Sequence, residues 1–245
     1  MAMPYFESLV ETTNLGFLII TVDYLFYMIP AMLLALLAQG MVRSAFAKYS
    51  QVPLRKRISG QEVARRVLEH AGVQGVSIER ARGFLSDHYD PRHQVIRLSE
   101  ANYDGHSIAA AAIAAHEAGH AIQKDRKYAP LALRSLYVPV AAFGGRGAIP
   151  LLLIGFIFSM EPLFIAGIAL FSAVVLFQLI TLPVEFDASR RAKLVLAESG
   201  IIVDDEEARG VSKVLTAAAM TYVAAAIQSI LTLLYYLSLF SGRRN

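Results

Sequence analysis

Four long apolar stretches constrain the fold of this chain more than any other feature of its sequence. A helix that crosses a bilayer needs about 20 mostly apolar residues, and each stretch reaches that length. The stretches are Leu15–Met41, Leu136–Phe158, Leu163–Leu182 and Val214–Phe240. Within them, only Asp23 and Arg146 are charged. Because 56% of all residues are hydrophobic, the chain is also too apolar for an ordinary soluble domain. The sequence therefore predicts a mainly α, multi-span membrane protein with about four transmembrane helices.

Two of these stretches allow a second interpretation. Glycines flank Arg146 and Pro150 follows it, so the second helix could instead begin near Gly147 and be short. The first stretch could be the apolar part of a secretory signal peptide, but such peptides begin with basic residues. The first basic residue here is Arg43, after the apolar run, and a cleaved signal peptide is therefore not expected.

Basic residues are concentrated in two segments between the apolar stretches. Of the 23 Lys and Arg residues, 15 lie in 41–136 and 5 in 183–213. Because Lys and Arg are enriched on the cytoplasmic side of membrane spans, both segments are predicted to be cytoplasmic. Basic clusters such as Arg55–Arg57 follow from the same rule, and no nucleic-acid-binding motif accompanies them. The chain has no Cys, which excludes disulfides and thiolate metal ligands.

The predicted organisation has five parts along the chain. Transmembrane helix 1 covers 15–41, and a cytoplasmic α+β region follows over 42–135. A transmembrane hairpin of helices 2 and 3 covers 136–182 and has its tip outside the cytoplasm. A second cytoplasmic segment covers 183–213, and transmembrane helix 4 covers 214–240.

The first cytoplasmic region carries local signals of a folded structure. Ser59 is expected to cap a helix, with Glu62 as its capping-box partner, and Gly72 is expected to end that helix. Two β-like runs, Phe84–Tyr89 and His93–Ser99, flank an Asp-Pro turn. They predict a small β-hairpin, and the second run is expected to offer an edge to an extended peptide.

The next helix contains the sequence HEAGH and is predicted to begin at a cap formed by Asp104 or Ser107. His116 and His120 are four residues apart, so their side chains share one helical face. In an H-E-x-x-H helix, both imidazoles bind one zinc ion and the glutamate acts as a base toward water. The motif predicts Zn²⁺ as cofactor, the two histidines as ligands and Glu117 as the catalytic residue. The alternative is a chance match on a polar helix face.

A catalytic zinc ion usually has three protein ligands, so the motif requires one more. No histidine follows His120, which leaves a downstream carboxylate or an upstream residue. Glu185 begins a charged segment just after the third apolar stretch, and two spans return the chain to the same membrane face. It is therefore the predicted third ligand, and Asp187 is the alternative. An ion pair with Arg190 or Arg191 is the other role considered for Glu185.

Several segments together resemble one family. HEAGHAIQ, DHYDPR, IRLS and LPVEFDASRRA, followed by a terminal apolar helix, resemble the YugP-like membrane zinc metallopeptidases, which are bacterial. More distantly, the pattern is similar to HtpX-like and CAAX-prenyl membrane proteases, whose third ligand is the glutamate of an E-x-x-x-D helix. The resemblance places that ligand at Glu185, whereas Ser189 stands where those proteases have aspartate. The groups that orient His116 and His120 stay open, and Asp187 and Ser189 are the candidates.

The sequence thus leads us to expect a zinc endopeptidase in the plasma membrane, with a zincin-like region and an active site that face the cytoplasm. Peptides or proteins, membrane proteins among them, are the expected substrates, the lipid bilayer is the other partner, and nucleic acid is not expected. The oxyanion of the reaction needs a stabilising group. The candidates for that group are His88, His93, Arg134 and Tyr137.

Two other functions are weighed against this expectation. A site-2-type intramembrane protease uses an aspartate from another span as a metal ligand. Within the apolar stretches of this chain, the only acidic residue is Asp23. A non-catalytic scaffold or chaperone-like protein would bind zinc at a structural site that stabilises its fold. Structural zinc sites usually have four ligands and are rich in Cys, which this chain lacks.

Overall fold

The computed structural model describes the backbone of residues 4–83 and 86–242, with side chains described from residue 24 onward. This part of the chain is mainly helical and contains one small sheet. Its elements are α1 (Pro4–Tyr49), α2 (Gly60–His70), β1 (Ser77–Ala81), β2 (His88–Asp90), β3 (Val95–Ser99), α3 (Glu100–Tyr103), α4 (Ile108–Asp125), α5 (Ala129–Ile157), α6 (Glu161–Glu198) and α7 (Asp205–Gly242). Two residues of the predicted strand Phe84–Tyr89, Phe84 and Leu85, lie outside the described residues, as does the Asp23 side chain.

In the part of the chain that the structure describes, four helices are long and apolar enough to cross a membrane, as many as predicted. They are α5, α6, α7 and the part of α1 from Tyr24 to Tyr49. Large apolar side chains such as Phe26, Leu136 and Phe143 are strongly exposed on these helices. Lipid tails solvate such side chains, whereas a soluble monomer rarely exposes so many of them together.

The helix that carries the second apolar stretch does not begin near Gly147. α5 begins at Ala129, well before Gly147, and continues through both of its prolines and through Arg146. Proline is tolerated in membrane helices because neighbouring groups satisfy the freed carbonyls. Of the three glycines here, Gly144 and Gly147 lie close to Leu170 of α6, whereas a Cβ atom at Gly145 would meet nothing within 4 Å. A Cβ atom at Gly144 would lie 2.9 Å from the backbone oxygen of Leu170 in α6.

The chain packs as two compact units. The first consists of Met1–Leu36, Pro139–Leu176 and Ala224–Asn245, and aromatic pairs such as Phe164 and Phe240 pack within it. The second consists of Leu37–Val138 and Phe177–Val223. It contains the sheet, the helices α2 to α4, and every residue of the candidate site described below.

The sheet of the second unit has the strand order β1-β3-β2. β2 pairs antiparallel with β3, with Tyr89 opposite Ile96, so the predicted hairpin is confirmed, but both of its described strands are shorter than the predicted runs. The expectation that β3 offers a free edge is wrong, because β1 pairs with it in parallel on its other side. β1 was missed because Ser77–Ala81 is short and its only large apolar residue is Ile78. The edge strands of the sheet are therefore β1 and β2, and β2 is the edge strand that belongs to the hairpin.

Helix ends in this unit follow from local sequence. Ser59 accepts a hydrogen bond from the backbone N–H of Glu62, and Gly72 has a φ of +71°, as the cap signals predict. The Glu62 carboxylate does not complete the capping box and accepts hydrogen bonds from Arg65 and Arg66 instead. At α4 the cap is Ser107, whose side chain accepts from Ala110 N–H at 3.1 Å.

α4 lies at the centre of the second unit. Its alanine-rich first half is almost completely buried, and its small side chains let the neighbouring helices approach closely. α6 does not end with the third apolar stretch but continues through Pro183 to Glu198. Glu185 therefore lies on the same helix as the third apolar stretch, rather than on a separate segment.

Candidate metal centre

The three predicted ligands come together where α4 packs against α6. The Nε2 atom of His116 is 3.2 Å from Oε2 of Glu185, and Nε2 of His120 is 3.5 Å from the same oxygen. One donor atom from each residue lies within 4.8 Å of the other two. Glu185 comes from a position 65 residues after His120, yet it is only 1% exposed. The group could hold a metal ion.

A glycine in the motif explains how closely the two helices pack. A Cβ atom at Gly119 would lie 2.6 Å from the carbonyl oxygen of Ala188 in α6. Real Cβ atoms do not approach a backbone oxygen so closely, so any larger residue would push the helices apart. The sequence shows Gly119 as an interruption of a helical run, whereas the structure shows it as the contact that brings Glu185 to the histidines.

We expect Gly119→Ala to weaken metal binding and stability together. The added methyl group forces α4 and α6 apart, and overpacking of this kind costs about 1–3 kcal/mol. Zinc content and thermal unfolding of the purified protein measure both effects. Gly145→Ala is the matched control, because a Cβ atom there meets nothing within 4 Å. A Gly119→Ala protein with full zinc content and unchanged unfolding would contradict this explanation of the packing.

Each imidazole also has a partner at its other nitrogen. Oγ of Ser189 is 3.2 Å from Nδ1 of His116, and Oε1 of Gln123 is 3.0 Å from Nδ1 of His120. Ser189, which stands where similar proteases have aspartate, thus contacts a predicted ligand directly. Asp187 does not contact either imidazole and instead accepts a hydrogen bond from Nε2 of Gln123 at 3.0 Å.

Gln123 determines which nitrogen of His120 carries the proton. Its Nε2 donates to the carbonyl oxygen of Val184 at 2.7 Å and to the Asp187 carboxylate, so its oxygen must face His120. Nδ1 of His120 is then a donor, and Nε2 is the ring nitrogen that faces Glu185 and could bind a metal ion. Gln123 is completely buried. Sequence reasoning missed it, although its place three residues after His120 puts it near that histidine on the helix surface.

The ion pairs around Glu185 differ from the alternative considered from the sequence. Arg190 and Arg191 both contact Asp187, at 2.6 Å and 2.5 Å, and not Glu185. The basic partner of Glu185 is Arg134 of α5, whose Nη1 lies 3.1 Å from Oε1. The interpretation of Glu185 as a carboxylate paired with Arg190 or Arg191 is therefore wrong.

The side chains present fit a zinc ion. Two imidazole nitrogens and one carboxylate oxygen are a donor set of catalytic zinc sites, which leave a further position for water or substrate. Burial alone would lower the pKa of His120, but Glu185, Glu117 and Gln123 raise that pKa overall. The surroundings thus favour positive charge. The hydrogen bonds at both Nδ1 atoms leave the Nε2 atoms directed to the centre.

A cavity of about 260 Å³ opens onto this group and onto Glu117. Glu117 is 8% exposed, and its carboxylate makes no hydrogen bond or ion pair with the residues that the structure describes. It is therefore available to a water molecule or a substrate. The cavity also borders Tyr89 of the edge strand β2.

The oxyanion candidates from the sequence separate into two groups. His88 and Arg134 line the cavity. His93 is exposed and pairs with Asp90 at 2.7 Å, and neither it nor Tyr137 lines the cavity. The structure adds Tyr222 of α7, which sequence reasoning missed because it stands within an apolar, alanine-rich span.

Comparisons with known proteins agree with the chemistry of this centre. Residues 24–241 match the family described as "Putative neutral zinc metallopeptidase". The chain is 47% identical over 223 residues to the "Putative membrane protease YugP" of Bacillus subtilis (strain 168), and the alignment covers 91% of this chain and 98% of that protein. No solved structure matches the chain.

Proposed function

The chain belongs to the family described as "Putative neutral zinc metallopeptidase", and from that premise we propose that it is a membrane-embedded zinc endopeptidase of the glutamate-ligand kind. The observation that carries the proposal is the convergence of His116, His120 and Glu185 beside Glu117. These residues lie on α4 and α6, which are rigid elements, and a cavity reaches them. Peptides and proteins, membrane proteins included, are the proposed substrates.

The proposed roles follow from the donor atoms and the cavity. His116, His120 and Glu185 hold zinc, which when bound supplies an activated water and polarises the scissile carbonyl. Ser189 and Gln123 keep the imidazole Nε2 atoms directed at the centre. Because these residues serve the metal ion, the proton transfers are left to the unpaired carboxylate of Glu117.

Glu117 is the proposed general base and then the general acid. It follows His116 directly and is therefore about 100° around the helix from it, which puts its carboxylate beside the centre rather than among the ligands. It accepts a proton from the attacking water and delivers it to the leaving amine as the peptide bond breaks. Tyr222 and His88 are the proposed donors to the negative charge that develops on the carbonyl oxygen.

The free edge of β2 is the proposed binding site for the substrate backbone. β2 is an edge strand, and Tyr89 within it borders the catalytic cavity. An extended peptide that pairs with an edge strand gains main-chain hydrogen bonds whatever its sequence. This arrangement replaces the expectation that β3 would receive the substrate.

Turnover that depends on zinc tests the proposed function. The purified full-length protein in detergent is expected to cleave a generic unfolded protein such as casein. A chelator should abolish cleavage, and added zinc should restore it, because the proposed chemistry needs the ion. Gel electrophoresis and mass spectrometry of the fragments provide the readout. A protein that binds zinc fully and cleaves nothing would instead support the non-catalytic scaffold.

The centre is proposed to face the cytoplasm of a multi-pass plasma-membrane protein. The excess of Lys and Arg in 41–136 and 183–213 supports this orientation. Reporter fusions after Gly72 and after Leu196 should both report the cytoplasm, and a fusion near Glu161 should report the outside. Fusions that place residues 72 and 196 on opposite sides would contradict the shared centre as well as the orientation.

A further inference from the structure

A second cavity adjoins the catalytic one and is mostly apolar. It has a volume of about 310 Å³ and shares Asp87, His116, Glu117 and Tyr222 with the first cavity. Its remaining wall comes from three helices. The apolar side chains of that wall are Val42 and Phe46 of α1, Ile113 of α4, and Val214, Leu215 and Ala218 of α7.

The chemistry of this wall favours an apolar occupant. Among the described residues that line it, the charged ones all belong to the part shared with the catalytic cavity. The Thr221 hydroxyl donates to the Ala218 carbonyl oxygen at 2.6 Å, so its proton is already used within α7. Asp87 already accepts hydrogen bonds from Ser99 and Asn102. A polar group bound in this cavity would therefore find few free hydrogen-bonding partners.

We propose that this cavity is the specificity pocket of the enzyme and binds the large apolar side chain of a substrate residue that flanks the scissile bond. The inference rests on the proposed function and adds the substrate class to it. The inference rests on the continuity of the two cavities, because Glu117 lines both of them. Neighbouring Cα atoms of a peptide are 3.8 Å apart, so a residue next to the bond at Glu117 reaches the second cavity.

The volume agrees with a branched or aromatic side chain. An apolar cavity of about 150 Å³ in another protein is large enough to hold benzene. The cavity here is about twice that size. Because a single methylene in an apolar pocket changes kcat/KM by about 10- to 200-fold, such a pocket can determine which bonds are cleaved.

Filling the pocket from Ala218 tests the proposal. Wild-type full-length protein in detergent is given a peptide library with all residues varied, and mass spectrometry identifies the cleavage sites. Wild type should prefer large apolar residues at one position next to the cleaved bond. Ala218→Phe should lower the kcat/KM ratio of large to small residues there by about 10- to 100-fold. Phe46→Ala removes a side chain from the same wall, which enlarges the pocket and should shift the preference toward aromatic residues.

The control separates pocket filling from added bulk on the helix. Thr216→Phe places the same side chain on an exposed position of α7 and should keep the wild-type preference. An unchanged preference in both Ala218→Phe and Phe46→Ala would overturn the proposal. So would native mass spectrometry that shows a lipid lost from Ala218→Phe while its cleavage preference stays that of wild type. Absence of zinc-dependent cleavage in wild type would instead refute the proposed function, and the pocket assignment with it.

Discussion

Glu117→Gln is expected to lower peptide turnover by about 100- to 10,000-fold while the protein still folds and inserts into the membrane. Glutamine keeps the shape of glutamate and a hydrogen-bonding oxygen, but it does not accept a proton at neutral pH. Removal of a general acid–base group has this effect, which corresponds to about 3–5 kcal/mol of barrier. Initial rates of peptide cleavage at saturating zinc provide the measurement.

His116→Ala is the control for that experiment because it removes a proposed ligand instead of the base. It should lose zinc and turnover together. Undiminished cleavage by Glu117→Gln would mean that the activity comes from another site or a contaminant. The non-catalytic scaffold would then be the better account of the protein.

Glu185→Ala is expected to lose most of its zinc, whereas Asp187→Ala should keep it at saturating zinc. The Glu185 carboxylate lies within hydrogen-bonding distance of both imidazoles, but Asp187 reaches only His120, and does so through Gln123. Loss of a group that supports a ligand typically lowers metal affinity by about 10- to 100-fold without removing the site. Competition with a chromogenic chelator measures both affinities.

Glu185→Gln extends this comparison, because it removes the charge and keeps the shape beside Arg134. It should also bind zinc weakly, which would separate loss of the ligand from loss of packing. Full zinc content in Glu185→Ala combined with loss in Asp187→Ala would move the third ligand two residues along the helix.

The number of membrane-length helices and the meeting of His116, His120 and Glu185 could be predicted from the sequence. Long apolar stretches indicate spans whatever the tertiary structure, and H-E-x-x-H puts two imidazoles on one helical face. Glu185 was chosen because it directly follows the third apolar stretch, because two spans return the chain to the face of His120, and because it matches the resembling E-x-x-x-D motif. The continuous α5 was left uncertain because Gly and Pro stop helices in water but are tolerated in membranes.

The supporting structure of the centre could not be predicted because it depends on contacts between distant segments. Gln123 becomes important only when α6 brings Val184 and Asp187 to it. Tyr222 looks like one more aromatic residue of a membrane helix until α7 places it at the cavity. β1 contains too few apolar residues to be recognised as a strand, so the free edge of the sheet was assigned to β3.

The zinc content of purified Glu117→Gln protein, measured beside its turnover, tests the central claim most directly. The claim is that three residues hold the metal while Glu117 carries the protons. It predicts about one zinc ion per chain, as in wild type, in a protein that cleaves almost no peptide. Loss of zinc from Glu117→Gln would make Glu117 a ligand and contradict the assignment of roles.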